Sequence, residues 1–224
     1  MLQDALLGVC REAIVVEFAG RTDAGVHANG QVVSFDTSFA HGPSSLRKAL
    51  NASLPDDLRV LGAAEVDRDF SARRSARSRW YRYSVDTGAT QHPLRRRYAA
   101  WHSGDLEVEA LNAAAQPLLG WHDFSAFGTV PHNESSPVRR MDRLEARQDG
   151  DGITIDLEAS AFLRHMARSV AGTLLHGATA STMAKILRDK SGAGPVAPAR
   201  GLCLMGVTYD TAHPDGERRG VTQP

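Results

Sequence analysis

A single carboxylate lies within a glycine-rich turn near the start of the chain. Asp23 belongs to the stretch FAGRTDAGVHANGQVV and follows an apolar run that begins at Ile14. Asp and Gly are common turn residues, so a surface turn is the simplest interpretation. The alternative is a reactive acid at the end of a strand, where flanking glycines let a substrate backbone come close. Asp23 is therefore a candidate catalytic carboxylate, and both interpretations stay open at this point.

Arginines are concentrated in one segment, although the formal net charge of the chain is zero. Between Arg68 and Arg97 there are nine arginines, two acidic residues and no lysine. A guanidinium group binds phosphate with a planar fork and stacks on bases, which favours a nucleic-acid partner. A solvated strand face with ordinary ion pairs is the competing interpretation. The aromatic residues interleaved with these arginines or next to them are Trp80, Tyr81, Tyr83 and Tyr98.

Several other chemistries lack their sequence patterns in this chain. There is no P-loop, no G-x-G-x-x-G after a strand and no nucleophile elbow. His27 follows the glycine turn but has no second metal ligand at a useful spacing, so no metal site is predicted. The only two cysteines, Cys10 and Cys203, fit a reducing compartment, and no apolar run reaches membrane-spanning length. We therefore expect a cytoplasmic protein with no membrane partner.

The elements that must position these residues indicate an α+β protein. Residues 79–85 alternate like a strand, and residues 162–177 form an amphipathic helix with Arg164 and Arg168 one turn apart on its polar side. Each half mixes helices with strands instead of repeating βαβ units. We predict two halves, residues 1–104 and 105–224. The other predicted helices span 2–11, 44–51, 106–118 and 181–190, and the other predicted strands span 14–19, 31–36, 58–66, 138–148, 153–159 and 202–209.

Five short blocks occur along nearly the whole chain in one order. They are AGRTDAGVHA at 19–28, FSAR followed by RWYRY at 70–83, LLG followed by HDFSAF at 118–127, AFLRHMAR at 161–168 and APARGL at 197–202. In residue type, order and spacing they resemble the tRNA pseudouridine synthase A family. Chance agreement of five ordered blocks is not credible.

The resemblance implies a fold, a reaction and partners. The fold would be the pseudouridine synthase fold, two α+β halves whose mixed or antiparallel sheets flank a basic cleft. The enzyme would be a homodimeric isomerase that converts uridine to pseudouridine at positions 38, 39 and 40 in the anticodon arm of tRNA. Because this isomerisation is redox-neutral, no cofactor and no metal would be required.

The resemblance also implies roles for particular residues. Asp23 would be the catalytic carboxylate, Arg168 would keep it ionised and orient it, and Tyr81 would pack against the target base. Whether Asp23 acts on the sugar or on the base stays open. Arg21 could occupy the gap that the flipped base leaves, or could simply bind phosphate. The residues expected to contact RNA are Arg21, His27, Arg73, Arg77, Arg79 and Arg82.

One departure from the family pattern motivates an alternative function. Family members begin with a strand that carries a Y-D-G-type turn, whereas this chain opens in the following helix region. We expect a chain with one strand fewer to have lower stability or lower RNA affinity. The alternative function is therefore a catalytically impaired tRNA-binding protein. An aspartate-dependent hydrolase is a weaker alternative, because no second catalytic carboxylate stands at a recognisable spacing.

Overall fold

The chain folds into two compact units that do not follow the order of the sequence. A computed structural model describes residues 1–130 and 136–210. The first unit contains Met1–Ala19 and Val32–Ser75, and the second contains Gly20–Gln31 and the chain from Ala76 onward. The predicted halves, residues 1–104 and 105–224, divide the chain at one point, whereas each of these units combines two separate segments. The two halves stay a prediction.

The helices and strands of the described residues have the following bounds in chain order. They are α1 (Leu2–Cys10), β1 (Glu17–Phe18), β2 (His27–Ala28), β3 (Val33–Ser34), α2 (Gly42–Ser53), β4 (Ala76–Asp86), β5 (Ala100–Trp101), α3 (Val108–Ala115), β6 (Gly120–Asp123), β7 (Val138–Asp149), β8 (Gly152–Ala159), α4 (Met166–Leu175), α5 (Ala180–Asp189) and β9 (Leu202–Tyr209). Two short 3₁₀ turns, Gln116–Leu118 and Ala199–Gly201, follow α3 and precede β9. No helix in this part of the chain is long and apolar enough to span a membrane.

The first unit is built on two helices and one short strand pair. Helices α1 and α2 bury aliphatic side chains, among them Leu6, Leu46 and Leu50, in a common cluster with Ile14. Strands β1 and β3 pair antiparallel over two residues each. The two predicted helices are thus confirmed, whereas both predicted strands are much shorter than the sequence pattern indicated.

The predicted strand at residues 58–66 is wrong. These residues form no strand in the structure. The Asn51 side chain instead accepts a hydrogen bond from the Val60 amide at 2.8 Å and donates one to the Val60 carbonyl at 2.9 Å. The preference of Val and Leu for strands depends on a neighbouring strand to pack with. At Val60 a side-chain amide takes the place of that strand.

The second unit is organised around a mixed sheet of seven strands among the described residues. The strand order is β2-β9-β4-β8-β7-β6, and β5 also pairs with β4. The β2–β9 and β4–β5 pairs are parallel and the others are antiparallel. Strands β7 and β8 form the hairpin that the Asp149–Gly152 turn predicts, with Gly150 at a φ of +57°. The α+β fold class with a mixed sheet is confirmed.

One buried cluster joins the sheet to helices α3, α4 and α5. Tyr81, Tyr83 and Val85 of β4 point into this cluster, as do Ile155 and Leu157 of β8. The intervening residues of β4 carry Trp80 and Arg82 on the opposite face, as strand alternation requires. Position 81 therefore faces the apolar cluster, while position 82 faces a charged surface of the sheet.

Helix α4 begins four residues later than predicted. The Arg164 amide and carbonyl are both bonded to Thr129 at 3.2 Å, and His165 has a left-handed φ of +68°. These residues therefore cannot continue a helix toward Phe162. Helix α5 begins near the predicted position, and its cap is the Thr179 hydroxyl, which accepts a hydrogen bond from the Thr182 amide at 3.2 Å.

Candidate active site

The turn that carries Asp23 is anchored by strand β2 and by the two residues that follow it. Strand β2 pairs parallel with β9, and the amides of Asn29 and Gly30 both donate to the Leu204 carbonyl, at 2.8 and 3.1 Å. The Val26 amide closes the turn by donating to the Asp23 carbonyl at 3.0 Å. Gly25 has a φ of +84°, a conformation that favours glycine. The turn is therefore fixed on the C-terminal side of the carboxylate.

Arg168 forms an ion pair with Asp23. Its Nη1 donates to Oδ2 of Asp23 at 2.7 Å, across 145 positions of sequence. Its Nε donates to the Ala197 carbonyl at 2.8 Å, and the Ala197 amide donates back to the Arg168 carbonyl at 3.1 Å. The guanidinium group is thus held by two partners, which sets its direction toward the acid. The two side chains are 17% and 27% exposed, so the pair lies at the surface of the site and not in the core.

The second carboxylate oxygen of Asp23 is available for chemistry. Every side-chain contact of Asp23 with the described residues uses Oδ2. Oδ1 therefore has no hydrogen-bond partner in that part of the chain. One oxygen is held by Arg168 while the other can approach a substrate, which is the arrangement that a nucleophile or a general base needs.

His165 is a member of the site that the sequence reasoning missed. Its Nε2 lies 3.6 Å from Oδ2 of Asp23, which is beyond hydrogen-bond distance but close enough for electrostatic interaction. Its left-handed backbone is uncommon for a residue other than glycine, although His is among those that tolerate it. The three-residue spacing from Arg168 was the available signal, since positions i and i+3 share a helix face.

Tyr81 lies beside the start of the Asp23 turn. It is only 6% exposed, and its ring meets Phe162 edge-on at 4.9 Å between centroids. Its hydroxyl would be 3.2 Å from a β-carbon at Gly20, a tight contact that a larger residue there could relieve only by a small shift of the tyrosine ring. Burial raises the pKa of Tyr81 to about 12, Arg79 opposes the rise, and the charge of Asp23 adds to it. The phenol is therefore neutral at physiological pH.

The amino-acid sequence was compared with those of known proteins. Residues 114–210 match the family model described as tRNA pseudouridine synthase. Three proteins named tRNA pseudouridine synthase A are similar to the chain along most of its length. The protein of Geobacillus kaustophilus (strain HTA426) is 43% identical over 87% of this chain and 78% of its own length. The protein of Methylobacterium nodulans is 42% identical over 94% of this chain and 86% of its own length. The protein of Agrobacterium fabrum is 41% identical over 97% of this chain and 85% of its own length.

This chain belongs to the tRNA pseudouridine synthase A family. The resemblance seen in the five sequence blocks is thereby confirmed. Of the residues that the resemblance singled out, the structure brings Asp23, Tyr81 and Arg168 together in one place.

Two of the predicted RNA-contacting residues, Arg21 and His27, belong to the segment that carries Asp23. Arg21 is exposed and makes no ion pair or hydrogen bond with the described residues, so its side chain is free to move. His27 is partly buried. Its Nε2 lies 2.8 Å from the Arg97 carbonyl, and its ring lies 4.9 Å from that of Tyr98. The arginine-rich segment and the glycine turn therefore meet at His27.

The predicted RNA-contacting arginines of strand β4 have protein partners instead. Arg79 is buried and donates to the carbonyls of Ala76 and Ser160, at 3.2 and 2.8 Å. Arg82 forms two hydrogen bonds with the buried carboxylate of Asp156, at 2.8 and 3.0 Å, which raise the pKa of its guanidinium group. Both therefore help to hold the sheet, and their contact with RNA stays a prediction.

Arg77 and Arg73 complete the predicted set. Arg77 is exposed and pairs with Asp210. Arg73 belongs to the first unit, whereas the other predicted RNA-contacting residues belong to the second unit. No group of three His, Cys, Asp or Glu residues within the described ranges is arranged to hold a metal ion.

Proposed function

We propose that this protein converts uridine to pseudouridine in tRNA, at positions 38–40 of the anticodon stem-loop, with Asp23 as the catalytic carboxylate. The observation that carries the proposal is the Asp23–Arg168 pair at 2.7 Å, with Oδ1 of the acid unused, in a member of this family. A protein that only bound tRNA would not need a carboxylate oriented in this way. A free, oriented oxygen is what a reaction at a flipped nucleotide requires.

The proposed reaction is a balanced rearrangement within one nucleotide. The bond between N1 of uracil and C1′ of ribose breaks, the base turns, and C5 bonds to C1′. The C5 hydrogen leaves as a proton and N1 gains one, so no electrons enter or leave. Asp23 can attack the sugar carbon, attack the base or remove a sugar proton, and each route uses one free carboxylate oxygen.

Tyr81 and Arg21 supply the surroundings of the flipped nucleotide in this proposal. Tyr81 presents a neutral, largely buried ring beside the Asp23 turn, which suits packing against a uracil. Arg21 is exposed and unpaired within the described part of the chain, so it can enter the gap that the flipped base leaves. The wider set of arginines would contact the tRNA backbone, which makes affinity fall steeply with salt.

We further propose that the protein is a homodimer of the cytoplasm. The membership of the chain in this family and the two free cysteines support this assignment. Sedimentation equilibrium of the purified protein would measure the mass directly. A monomer at concentrations that support full activity would contradict the dimer.

Tritium release tests the reaction itself. A tRNA transcript labelled at uridine C5 loses tritium when C5 bonds to ribose. We expect release by the wild type and a loss of at least about a thousandfold in Asp23→Asn, because the amide cannot act as a nucleophile or base. Asp57→Asn, which changes an exposed carboxylate in the first unit, is the matched control and should retain full activity.

The outcomes separate the two functions that the sequence left open. Release by the wild type but not by Asp23→Asn supports the synthase. Tight tRNA binding without release by either protein indicates a tRNA-binding protein without catalysis. Release that survives in Asp23→Asn would remove the acid from the mechanism.

A further inference from the structure

An open cavity of about 370 Å³ lies next to the Asp23 site in the second unit. Its walls are the turn at residues 125–129, the start of α4 at residues 164–169 and the loop at residues 192–196. His165 belongs to both places, since it lines the cavity and its Nε2 lies 3.6 Å from Oδ2 of Asp23. A molecule that fills the cavity therefore comes within one side chain of the catalytic acid.

Two side chains in the cavity have unused hydrogen-bonding groups. Ser169 lines the cavity and is only 4% exposed as a residue, and its hydroxyl has no hydrogen-bond partner among the described residues. The Arg164 side chain is exposed and likewise forms no ion pair or hydrogen bond within the described ranges. Its backbone is fixed by the two bonds to Thr129, so the guanidinium group starts from a defined point on the rim.

The charge of the cavity selects for an anion. Arg164 contributes a positive charge, and none of the lining residues is Asp or Glu. The first turn of α4 also begins here, and its amides lack partners within the helix and carry a partial positive charge. Among the described residues, the cavity thus combines a hydroxyl without a partner, a guanidinium group without a partner and the start of a helix.

Two glycines in the cavity walls pack closely against neighbouring backbone. A β-carbon at Gly128 would lie 2.7 Å from the Arg164 carbonyl, and one at Gly194 would lie 3.0 Å from the Thr173 α-carbon. Neither position accepts a larger residue without a shift of backbone. These two glycines therefore allow the close approach of the chain segments that form the cavity walls.

We propose that this cavity binds the backbone phosphate next to the target uridine of the tRNA. The inference rests on the proposed function, because it takes the nucleotide at Asp23 to be part of an RNA chain. The flanking phosphate is covalently attached to the ribose on which that chemistry takes place, so it must lie close to Asp23. Arg164 pairs with the phosphate, Ser169 donates its hydroxyl to it, and His165 separates it from the carboxylate.

The assignment is tested by changing the charge of single backbone linkages in the tRNA and measuring the effect on binding to protein variants. Transfer RNA with one uridine among positions 38–40 is assembled by ligation, with either a normal phosphate or a neutral methylphosphonate at each linkage that flanks this uridine. Equilibrium dissociation constants are measured at one fixed salt concentration for the wild type, Arg164→Ser and Ser169→Ala. Arg147→Ser is the matched control, because Arg147 is exposed on the β7–β8 hairpin and, among the described residues, forms its ion pair with Glu145.

We expect the charge of the linkage to affect tRNA binding less in the cavity variants than in the wild type. A neutral linkage on one side of the uridine should weaken binding about tenfold in the wild type and in Arg147→Ser, as for a charge-assisted hydrogen bond. The penalty should shrink to about twofold or less in Arg164→Ser and to about threefold in Ser169→Ala. A full tenfold penalty in Arg164→Ser, or no penalty in the wild type, would overturn the proposal. Thermal unfolding of each variant shows whether the fold is retained.

Two further measurements keep the possible failures apart. Pseudouridine formation by the wild type on unmodified tRNA tests the proposed function, whereas the linkage experiment needs only binding. Turnover without linkage coupling would refute the cavity assignment alone, and coupling without turnover would refute the synthase alone. Tight binding of inorganic phosphate without tRNA, together with no effect of linkage charge, would assign the cavity to a free anion and would also overturn the proposal.

Discussion

The two compact units differ in the size and kind of core they contain. The first unit buries a small aliphatic cluster that includes Leu6, Ile14 and Leu50, and its strands are two residues long. The second unit buries a far larger cluster with aromatic and aliphatic side chains, supported by strands of 8 to 12 residues. All four tyrosines of the chain also lie in the second unit.

The residues of the candidate site all belong to the unit with the larger core, although Asp23 is close in sequence to the first unit. Asp23 lies in Gly20–Gln31, a segment between two stretches of the first unit, yet this segment belongs to the second unit. Arg168, His165 and Tyr81 belong to the second unit as well. A site that must hold an acid and a guanidinium group within 2.7 Å thus uses the more extensively packed part of the molecule.

The largest expected difference concerns core packing. Leu157→Ala, at a fully buried position of β8, should lower the free energy of unfolding of the second unit by about 4 kcal/mol. Leu50→Ala in the first unit should cost about 2 kcal/mol, because a small cluster of aliphatic side chains can collapse around the gap. Urea unfolding followed by amide hydrogen exchange measures both. Equal costs would show that the two cores are packed equally well.

Arg168→Lys should reduce activity with little effect on substrate binding. One ammonium group cannot replace a guanidinium group that contacts both Asp23 and the Ala197 carbonyl. We expect kcat to fall about a hundredfold and KM to change less than about threefold. The control is Arg59→Lys in the first unit, where Arg59 pairs with Asp56, and kcat should be unchanged. A similar loss in both variants would contradict a site confined to the second unit.

Alkaline pH should destabilise the second unit through its tyrosines. Burial raises the pKa of Tyr81 to about 12 from an unfolded value of 10.0, so the folded state favours the neutral phenol. This contribution is complete below pH 10 and is lost as pH rises from 10 through 12. By about pH 11 the loss from Tyr81 should be about 1.4 kcal/mol, and Tyr81→Phe should lose that much less. Identical pH profiles for the wild type and Tyr81→Phe would refute this account.

The smallest expected effect distinguishes the helix caps. Thr179→Ala removes the hydroxyl that caps α5 and should cost about 1 kcal/mol of stability. His41, at the same position of α2, forms no side-chain capping bond, so His41→Ala should change stability by less than about 0.5 kcal/mol. Thermal unfolding of the two variants measures the contrast. A cost for His41→Ala as large as that of Thr179→Ala would show that the capping bond is not the source of the difference.

Features that depend on neighbouring residues could be predicted from the sequence. Alternation predicted the strand at residues 79–85, and the structure places Tyr81 and Arg82 on opposite faces of β4, since that pattern follows from strand geometry alone. The hairpin at Asp149–Gly152 and the helix with Arg168 follow from turn chemistry and periodicity in the same way. Asp23 could be selected as a candidate acid because its glycine-rich turn is a local property and because the motif blocks resemble one family.

Only the tertiary structure decided which of these residues meet and which are already engaged. Residues 58–66 have strand-like composition but no partner strand, and Arg79 and Arg82 have phosphate-binding side chains that protein oxygens already occupy. The contact between Asp23 and Arg168 spans 145 positions, and the left-handed residue His165 directly follows Arg164, which pairs with the distant Thr129. The sequence determined the local conformations and the chemical groups, because these depend on residues a few positions apart. The pairing of the groups depended on long-range contacts, which no local pattern specifies.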